Sequence, residues 1–464
     1  MTRVVIIGGG PGGYEAALVA RQLGADVTLV SSSRLGGSAV LTDCVPSKTL
    51  IATAELMTDL QGASELGVNF RDHEGDVATT VSVDLERINR RVLKLAMQQS
   101  ADISGHLDRD GVEGVHGRGR LDGPERVIVE TGSGEVSIDA DAILIATGAA
   151  PRTLPTAVPD GERILTWEQV YDITEVPEKL VVVGSGVTGA EFASAYLSLG
   201  VDVTLVSSRD RVLPGEDADA AAVLEDVLTR RGMKVLSKSR MQSVERHGDK
   251  VTVTLTDGRT VEATHCILAL GSVPNAQGLG LEEAGVALGD GGFITVDRVS
   301  RTSARGVYAA GDCTGVLMLA SVAAMQGRIA MWHALGDAVR PLDLKKVSSN
   351  VFTAPEIATV GCSQQAVDAG EIQAESITLP LASNPRAKMQ GVHDGFVKLF
   401  CRPVTGVVIG GVVVAPRASE LIHAVSVAVG ESLTADQLSH AFTVYPSMSG
   451  SIAEAARQLH YVQK

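Results

Sequence analysis

The sequence has few aromatic residues and lacks basic tracts, paired cysteines and long apolar runs. Phe, Trp and Tyr make up 3% of its 464 residues, while Gly numbers 50 and hydrophobic residues reach 45%. Few aromatics and many glycines favour α/β layers with tight turns over a β-sandwich. A chain of this length predicts roughly two to four domains of about 100 to 200 residues each.

The charge balance and the short apolar runs exclude two classes of protein. The formal net charge is −15 with no cluster of Lys or Arg, whereas nucleic-acid binding depends on clustered cations. The longest apolar stretch, VVIGGVVVAP from Val407, is well short of the roughly 20 residues that a membrane span needs. The apolar run after Arg3 is too short and too rich in glycine for a signal peptide. We therefore predict no nucleic-acid partner, no transmembrane segment and a cytoplasmic location.

The five cysteines are scattered singly: Cys44, Cys266, Cys313, Cys362 and Cys401. They form no C-x-x-C pair and no metal-ligand spacing, so no metal is predicted. Four of them are predicted to be buried small side chains. Cys44 precedes Val45-Pro46, and proline favours the first turn of a helix. A helix N-terminus predicts a lowered thiol pKa at this position.

A strand, a glycine turn, a helix and a second strand occur twice. In the first copy, residues 4–30, the G-x-G-x-x-G glycines are Gly8, Gly10 and Gly13. The second copy begins at Leu180 and carries Gly184, Gly186 and Gly189. These glycines permit a tight turn, close approach to a pyrophosphate and helix packing on the strand. Copies about 175 residues apart indicate an internal duplication and two dinucleotide sites.

Later segments assign the first copy to FAD and divide the chain. Thr147-Gly148 follows an apolar strand, and Asp312 ends another, where a carboxylate can bond a ribityl hydroxyl. The predicted domains are a discontinuous FAD-binding domain (1–149 and 276–346), an NAD(P)-binding domain (150–275) and a dimerisation domain (347–464). The predicted fold class is therefore α/β, with two Rossmann-like domains and a C-terminal α+β domain.

Several strings in this order resemble one family over essentially the whole chain. They are GGS from Gly36, CVPSK from Cys44, YAAGDCTG from Tyr308 and VFTAPEIATVG from Val351. They resemble the pyridine nucleotide-disulfide oxidoreductases of the glutathione reductase and lipoamide dehydrogenase type. The resemblance implies a homodimer, with Lys48 beside flavin N5 and Glu191 paired with that lysine.

The chain departs from the family pattern at the disulfide and at the base. The family carries two cysteines separated by four residues, whereas these positions are Ala39 and Cys44. The family's His-Pro-Thr-x-Ser-Glu string reads here from Tyr445 to Gly450, so the base and its carboxylate are missing. Tyr, with an ordinary pKa of about 10, is a poor proton shuttle at neutral pH. Actinobacterial lipoamide dehydrogenase homologues with quinone reductase activity share the alanine and the tyrosine, and this chain resembles them.

The residues that end the second strand of each copy bear on coenzyme choice. An acidic residue usually binds the ribose 2′-OH there, but the second copy has Ser207, Ser208 and Arg209. We expect NADPH to be accepted alongside NADH. The equivalent residue of the first copy is Ser31, which leaves a hydroxyl for the ribose contact.

The predicted cofactor residues lie in the glycine turns, at these strand ends and in the segments that return to each nucleotide. For FAD they are Gly8, Gly10, Pro11, Gly12, Gly13, Ser31, Ser32, Gly37, Ser38, Lys48, Gly117, Gly119, Thr147, Gly148, Asp312 and Ala320; for the nicotinamide coenzyme they are Gly184, Gly186, Val187, Thr188, Gly189, Ser207, Ser208, Arg209 and Gly271.

Three functions follow from these residues. The first is an FAD-dependent NAD(P)H dehydrogenase (quinone), because a quinone takes electrons directly from flavin without the missing dithiol or base. The second is a disulfide or peroxide reductase that uses Cys44 alone, with Tyr445 assisting across a dimer. The third is a flavin-bound redox sensor without turnover. The predicted catalytic residues are Lys48, Glu191, Cys44 and Tyr445.

Overall fold

The first unit is built on a parallel sheet of five strands. The computed structural model of the protein describes residues 1–69 and 81–460. The strands of this sheet lie in the order Val307–Ala309, Ala142–Ile145, Arg3–Ile7, Asp26–Ser31 and Glu113–His116. The central strands are almost wholly apolar and buried, as expected for a parallel sheet covered on both faces. The predicted α/β fold class is confirmed.

The helices of the first unit are Pro11–Gln22, Gly37–Leu41, Cys44–Gly62, Leu85–Arg109 and Ala320–Ala334. Those that begin at Pro11, Leu85 and Ala320 pack on one face of the sheet, and the opposite face packs on a small antiparallel sheet. The first and last of these three helices cross closely through Gly12 and Gly327, since a Cβ on Gly327 would lie 2.1 Å from the Gly12 carbonyl oxygen. The small antiparallel sheet of Arg118–Leu121, Arg126–Thr131 and Gly134–Asp139 completes the unit.

The second unit repeats this architecture. Its parallel sheet has the order Lys234–Leu236, Asp202–Val206, Lys179–Val183, His265–Leu268 and Ile164–Thr166. Its helices are Val187–Ser198 and Ala218–Arg230, and an antiparallel sheet of Met241–His247, Lys250–Leu255 and Thr260–Ala263 packs on the opposite face of the parallel sheet. Val183 pairs with Val206 as Ile7 pairs with Val30, so the predicted duplication extends to strand register.

The chain passes between the two units at one pair of short strands. Ala149–Pro151 leaves the first unit and Ser272–Pro274 returns to it, and the two strands pair antiparallel. The Asn275 N–H donates to the Gly148 carbonyl oxygen at 3.0 Å. The outgoing and returning segments therefore lie side by side.

The third unit is an antiparallel sheet with helices on it. The strand order is Ser348–Val351, Glu356–Gly361, Val408–Ala415, Phe396–Cys401 and Glu375–Pro380. The helices are Gln364–Asp368, Pro385–Met389, Ala418–Gly430, Ala435–His440 and Gly450–Gln458. This combination of strands and helices agrees with the predicted C-terminal α+β domain. Residues 461–464 of the predicted third domain lie outside the described residues.

A buried ion cluster joins the third unit to the second. Lys398 Nζ lies 2.9 Å from an oxygen of Asp217 and 2.6 Å from Asp219 Oδ2. The Lys398 and Asp217 side chains are only 2% and 3% exposed. Asp217 also caps the helix Ala218–Arg230 by accepting from the Asp219 and Ala220 N–H groups. The Asp217 carboxylate therefore accepts hydrogen bonds from both units.

Short 3-10 turns lie at Val170–Asp172, Asp290–Gly292, Asp312–Thr314, Leu344–Lys346 and Leu381–Ser383. None of the helices within residues 1–69 and 81–460 is both long and apolar enough to cross a membrane.

Candidate active site

A cavity of about 1600 Å³ lies at the carboxyl ends of the strands in the first sheet. This edge is where doubly wound sheets bind nucleotides, and the volume exceeds the roughly 300–1,000 Å³ of ordinary small-molecule sites. Most of the residues predicted for FAD line it: Gly8, Gly10, Pro11, Gly12, Ser31, Ser32, Gly37, Ser38, Gly117, Gly119, Thr147, Gly148, Asp312 and Ala320.

The glycine turn is built so that only glycine fits at two positions. Gly8 has a φ of +116°, and a Cβ there would lie 2.2 Å from the Ala146 carbonyl oxygen. A Cβ on Gly13 would lie 1.9 Å from the Gly8 carbonyl oxygen. Gly13 therefore packs under the turn and does not line the cavity. The helix Pro11–Gln22 begins at the cavity wall, where its free N–H groups fit a pyrophosphate.

Asp312 supplies a carboxylate to the cavity wall. Burial, and then the charge of Asp43, raise the pKa of Asp312 to about 6. A hydroxyl donor bound to this carboxylate would favour its charged form. Thr147 donates its hydroxyl to the Asn275 carbonyl oxygen at 2.7 Å, which fixes the neighbouring strand end. The turn, the carboxylate and the volume fit FAD.

Lys48 and Glu191 form an ion pair beside this cavity, between two helices. Lys48 Nζ lies 2.8 Å from Glu191 Oε2, and the Phe352 N–H donates to Glu191 Oε1 at 2.9 Å. Burial alone would lower the pKa of Lys48, but the nearby Glu191 carboxylate reverses this and raises it. The lysine is held charged and in one place.

Cys44 is the first residue of the helix Cys44–Gly62, as the sequence predicts, and it lines the cavity. The expected lowering of its pKa is wrong. Burial, followed by the Asp43 carboxyl, raises the pKa of the Cys44 thiol to about 12. Desolvation of the thiolate and a neighbouring carboxyl outweigh the helix N-terminus and Lys48. The other four cysteines are buried, as predicted.

The chain does not bring Tyr445 to Cys44. Ala39 lines the cavity with Cys44, but Tyr445 is 83% exposed and is not among the lining residues. Gly450 is the first residue of the helix Gly450–Gln458, and His440 ends the preceding helix with its ring bonded to the Asp436 carbonyl oxygen at 2.6 Å. These residues form no base beside Cys44 within one chain.

The second glycine turn has the same construction as the first. Gly184 has a φ of +112°, and a Cβ there would lie 2.1 Å from the Ala269 carbonyl oxygen. A Cβ on Gly189 would lie 1.8 Å from the Gly184 carbonyl oxygen, whereas one on Gly186 would meet nothing within 4 Å. Val187 and Thr188 open the helix Val187–Ser198. Gly271, with a φ of +84°, occupies the place in this unit that Gly148 has in the first.

The three residues predicted to set coenzyme preference differ in exposure. The Ser207 side chain is buried, and its hydroxyl lies 2.7 Å from the Ser185 hydroxyl. Ser208 and Arg209 are exposed. Ser207 therefore stabilises the glycine turn, and Ser208 and Arg209 are the residues that a bound nucleotide can reach. Lys238, another exposed cation, lies beside them, because its N–H donates to the Arg209 carbonyl oxygen at 2.6 Å.

Sequence reasoning missed three residues near these sites. Asp43 and Glu168 line the flavin cavity, and Lys238 adjoins Arg209. Asp43 directly precedes Cys44, so its position in the sequence could have identified it. Glu168 and Lys238 are distant in sequence from every motif, and only the fold brings them there.

Family models match almost the whole chain. The model described as pyridine nucleotide-disulphide oxidoreductase matches residues 2–327. The model for the dimerisation domain of the same family matches residues 347–456. The chain belongs to the pyridine nucleotide-disulphide oxidoreductase family.

Particular relatives span nearly the full length. The chain is 55% identical to a protein of Mycobacterium tuberculosis named NAD(P)H dehydrogenase (quinone), over 99% of this chain and 94% of that protein. It is 33% identical to a dihydrolipoyl dehydrogenase of Zymomonas mobilis, over 99% of both chains. The crystal structure of LpdA from Mycobacterium tuberculosis superposes with a TM-score of 0.94 at 54% identity, covering 99% of this chain and 100% of that one.

Proposed function

We propose that this protein is an FAD-dependent NAD(P)H dehydrogenase (quinone) without disulfide reductase or dihydrolipoyl dehydrogenase activity. One observation carries the proposal: the Lys48–Glu191 pair is present beside the flavin cavity, but the cavity wall has Ala39 where disulfide exchange needs a second thiol. The 55% identity to a protein named NAD(P)H dehydrogenase (quinone) supports it.

Each group of residues has a part in this reaction. Bound FAD would supply the hydride acceptor that joins the coenzyme to the quinone. The first glycine turn and Asp312 would hold FAD, and Lys48 would place a fixed positive charge beside the ring. The second glycine turn, with Ser208 and Arg209, would hold NADPH or NADH. The glycines and serines would contact the two cofactors through backbone and hydroxyl groups, so they would position the cofactors and take no chemical part in the reaction.

The proposed division of the chain follows the three five-stranded sheets. Residues 1–149 and 276–346 would form the FAD-binding domain, 150–275 the NAD(P)-binding domain and 347–464 the dimerisation domain. The paired strands Ala149–Pro151 and Ser272–Pro274 support a boundary at the first two junctions. The cytoplasmic location stays a prediction.

We also propose a homodimer in which the segment before the last helix meets a second copy. The match to a dimerisation domain supports this. Phe442 is fully exposed in the single chain, and Val444 and Tyr445 are 77% and 83% exposed. An exposed apolar run of this kind marks a protein interface.

The raised pKa of Cys44 disfavours the single-cysteine alternative. A thiol with a pKa of about 12 provides little thiolate at neutral pH, and the thiolate is the reactive form. The redox sensor without turnover stays open until flavin reduction by NAD(P)H has been measured.

An anaerobic experiment tests the proposed function. NADPH is added to the purified yellow protein until the flavin absorbance bleaches, and then either a benzoquinone or lipoamide is added. We expect rapid reoxidation by the quinone and none by lipoamide. Reoxidation by lipoamide would show that another thiol and base replace Ala39 and Tyr445. A flavin that NADPH and NADH both fail to reduce would support the sensor.

A further inference from the structure

Asp43 lines the flavin cavity and has no part in the function proposed so far. It lies between Thr42 and Cys44 and directly precedes the helix Cys44–Gly62. Its backbone carbonyl accepts from the Ser47 N–H at 2.7 Å. Its side chain does not cap the helix, and no ion pair to it occurs within residues 1–69 and 81–460. The carboxyl is therefore free to act on whatever fills the cavity.

Charged and titratable groups face Asp43 from every element packed around it. Lys48 and Cys44 come from its own helix, Glu168 and Tyr171 from the segment that precedes the second unit, Glu191 from the helix Val187–Ser198, and Asp312 from its 3-10 turn. Burial, more than any charge, raises the pKa of Asp43; Glu191 adds to this and Lys48 opposes it. Asp43 therefore keeps its proton to a higher pH than an ordinary aspartate does.

Quinone reduction needs a proton that the family's usual base cannot supply here. NAD(P)H, one proton and a quinone give NAD(P)⁺ and a quinol, so a hydride alone leaves a quinol anion. Tyr445 stands in place of the family histidine and does not line the cavity of its own chain. The Cys44 thiol holds its proton too tightly to donate it. FAD would occupy Asp312, and three other carboxyl residues of the cavity wall, Asp122, Glu282 and Glu283, are exposed. Asp43 and Glu168 are therefore the remaining half-buried carboxyls of the cavity.

We propose that Asp43 is the proton donor to the reduced quinone. The Asp43 O–H bond breaks as a new O–H bond forms on the quinol oxygen, and the Asp43 carboxylate then takes a proton from water. The hydride, which carries both electrons, comes from NAD(P)H and would reach the quinone through the bound cofactor. Of the two carboxyls, we assign the proton donor to Asp43, which is adjacent to Cys44. Glu168 already accepts a hydrogen bond from the Thr42 hydroxyl at 3.4 Å. This inference rests on the proposed function.

The two oxidants benzoquinone and ferricyanide separate proton donation from electron transfer. Holoenzyme bleached with NADPH is mixed with each oxidant in a stopped-flow instrument, for the wild type and for Asp43→Asn, Asp43→Glu and Glu168→Gln. Ferricyanide takes electrons without a proton. We expect Asp43→Asn to slow reoxidation by benzoquinone by about 100-fold, to leave reoxidation by ferricyanide unchanged, and to be rescued in part by Asp43→Glu. Glu168→Gln should match the wild type with both oxidants.

The pH profile and the infrared spectrum give independent readouts. Reoxidation of the wild type by benzoquinone should fall as pH rises through the raised pKa of Asp43, and the Asp43→Asn profile should be flat. In the oxidised holoenzyme, Asp43→Asn should remove a carboxyl C=O band that the Glu168→Gln variant retains. If Asp43→Asn does not retain FAD, Asp43→Ser takes its place, because serine also suits the position before a helix.

Several results would overturn the proposal. Equal benzoquinone rates for Asp43→Asn and the wild type would do so, as would an equal loss with ferricyanide, which would indicate structural damage. A loss confined to Glu168→Gln would assign the donor to Glu168. If benzoquinone fails to reoxidise even the wild type, the proposed function itself is wrong, and the two failures are thereby distinguished.

Discussion

Cys44 shows at the residue scale how burial changes the chemistry that a motif implies. The sequence correctly predicts its place at a helix N-terminus, but not the Asp43 carboxyl and the buried surroundings that raise its pKa. Ser207 is a second example. The sequence correctly predicts its position at a strand end, but only the structure shows that its hydroxyl lies against the Ser185 hydroxyl. Side-chain direction and desolvation are properties of the folded environment, so sequence patterns do not specify them.

Replacing Cys44 with alanine should leave quinone turnover within about twofold of the wild type, because no step of the proposed reaction uses the thiol. In the wild type, iodoacetamide should modify this thiol slowly at neutral pH and faster as pH rises toward about 12. Steady-state kinetics and mass spectrometry of the alkylated peptide measure the two effects. Loss of quinone turnover in Cys44→Ala would instead favour the single-cysteine mechanism.

Replacing Arg209 with glutamine should raise the KM for NADPH about tenfold and leave the KM for NADH nearly unchanged. A charge-assisted hydrogen bond to a 2′-phosphate is worth about 1.5–3 kcal/mol, and NADH has no such phosphate. Lys250→Gln is the matched control, because Lys250 is an exposed cation of the same unit paired with Glu262. Equal effects on both coenzymes would remove Arg209 from the 2′-phosphate site.

At the scale of elements, the strand-turn-helix units were the most predictable part of the fold. The glycine spacing and the apolar strands place Gly8 and Gly184 correctly, because backbone sterics alone determine these turns. The Lys48–Glu191 ion pair could be predicted only from the family resemblance, since the two residues lie 143 positions apart in the sequence. Long-range pairs depend on how units pack, and local pattern carries no such information.

The second glycine turn allows a paired test of folding against coenzyme binding. Gly189→Ala should lower the melting temperature markedly, because its Cβ would lie 1.8 Å from the Gly184 carbonyl oxygen. Gly186→Ala should leave the melting temperature unchanged, since nothing lies within 4 Å of its added Cβ, but should raise the KM for NADPH by obstructing the pyrophosphate. Differential scanning fluorimetry and kinetics distinguish the two. A normal KM in Gly186→Ala would place the pyrophosphate elsewhere.

At the scale of the whole molecule, Lys398 ties the second unit to the third. Burial alone would lower its pKa, but hydrogen bonds to Asp217 and Asp219 raise it. Its contribution to stability is therefore complete at neutral pH and is lost only as pH rises through that raised pKa. Lys398→Ala should cost about 3–5 kcal/mol, because Asp217 would keep a buried charge without its cation.

The midpoint of urea unfolding at neutral pH measures this cost. Lys388→Ala serves as the control, since Lys388 is exposed in the same unit. Similar midpoints for Lys398→Ala and Lys388→Ala would mean that water or a neighbouring group compensates Asp217.

The exposed segment before the last helix gives a second test at this scale. Phe442→Asp should shift the protein from dimer toward monomer, because in the proposed homodimer a charge would have to be buried where the exposed apolar ring would meet a second copy. Sedimentation velocity over a range of protein concentrations measures the change. Lys388→Ala should leave the association state unchanged, and a Phe442→Asp protein that stays dimeric would exclude this segment from the interface.

The adjacent strands Ala149–Pro151 and Ser272–Pro274 would make the proposed coenzyme-binding domain an exchangeable insert. Both ends of the inserted segment lie next to each other, so the segment can be removed or exchanged without separating the two halves of the flavin unit. The matching segment of a strictly NADH-dependent relative could therefore be transplanted into this chain. The exchange should change the preferred coenzyme and leave the electron acceptor the same.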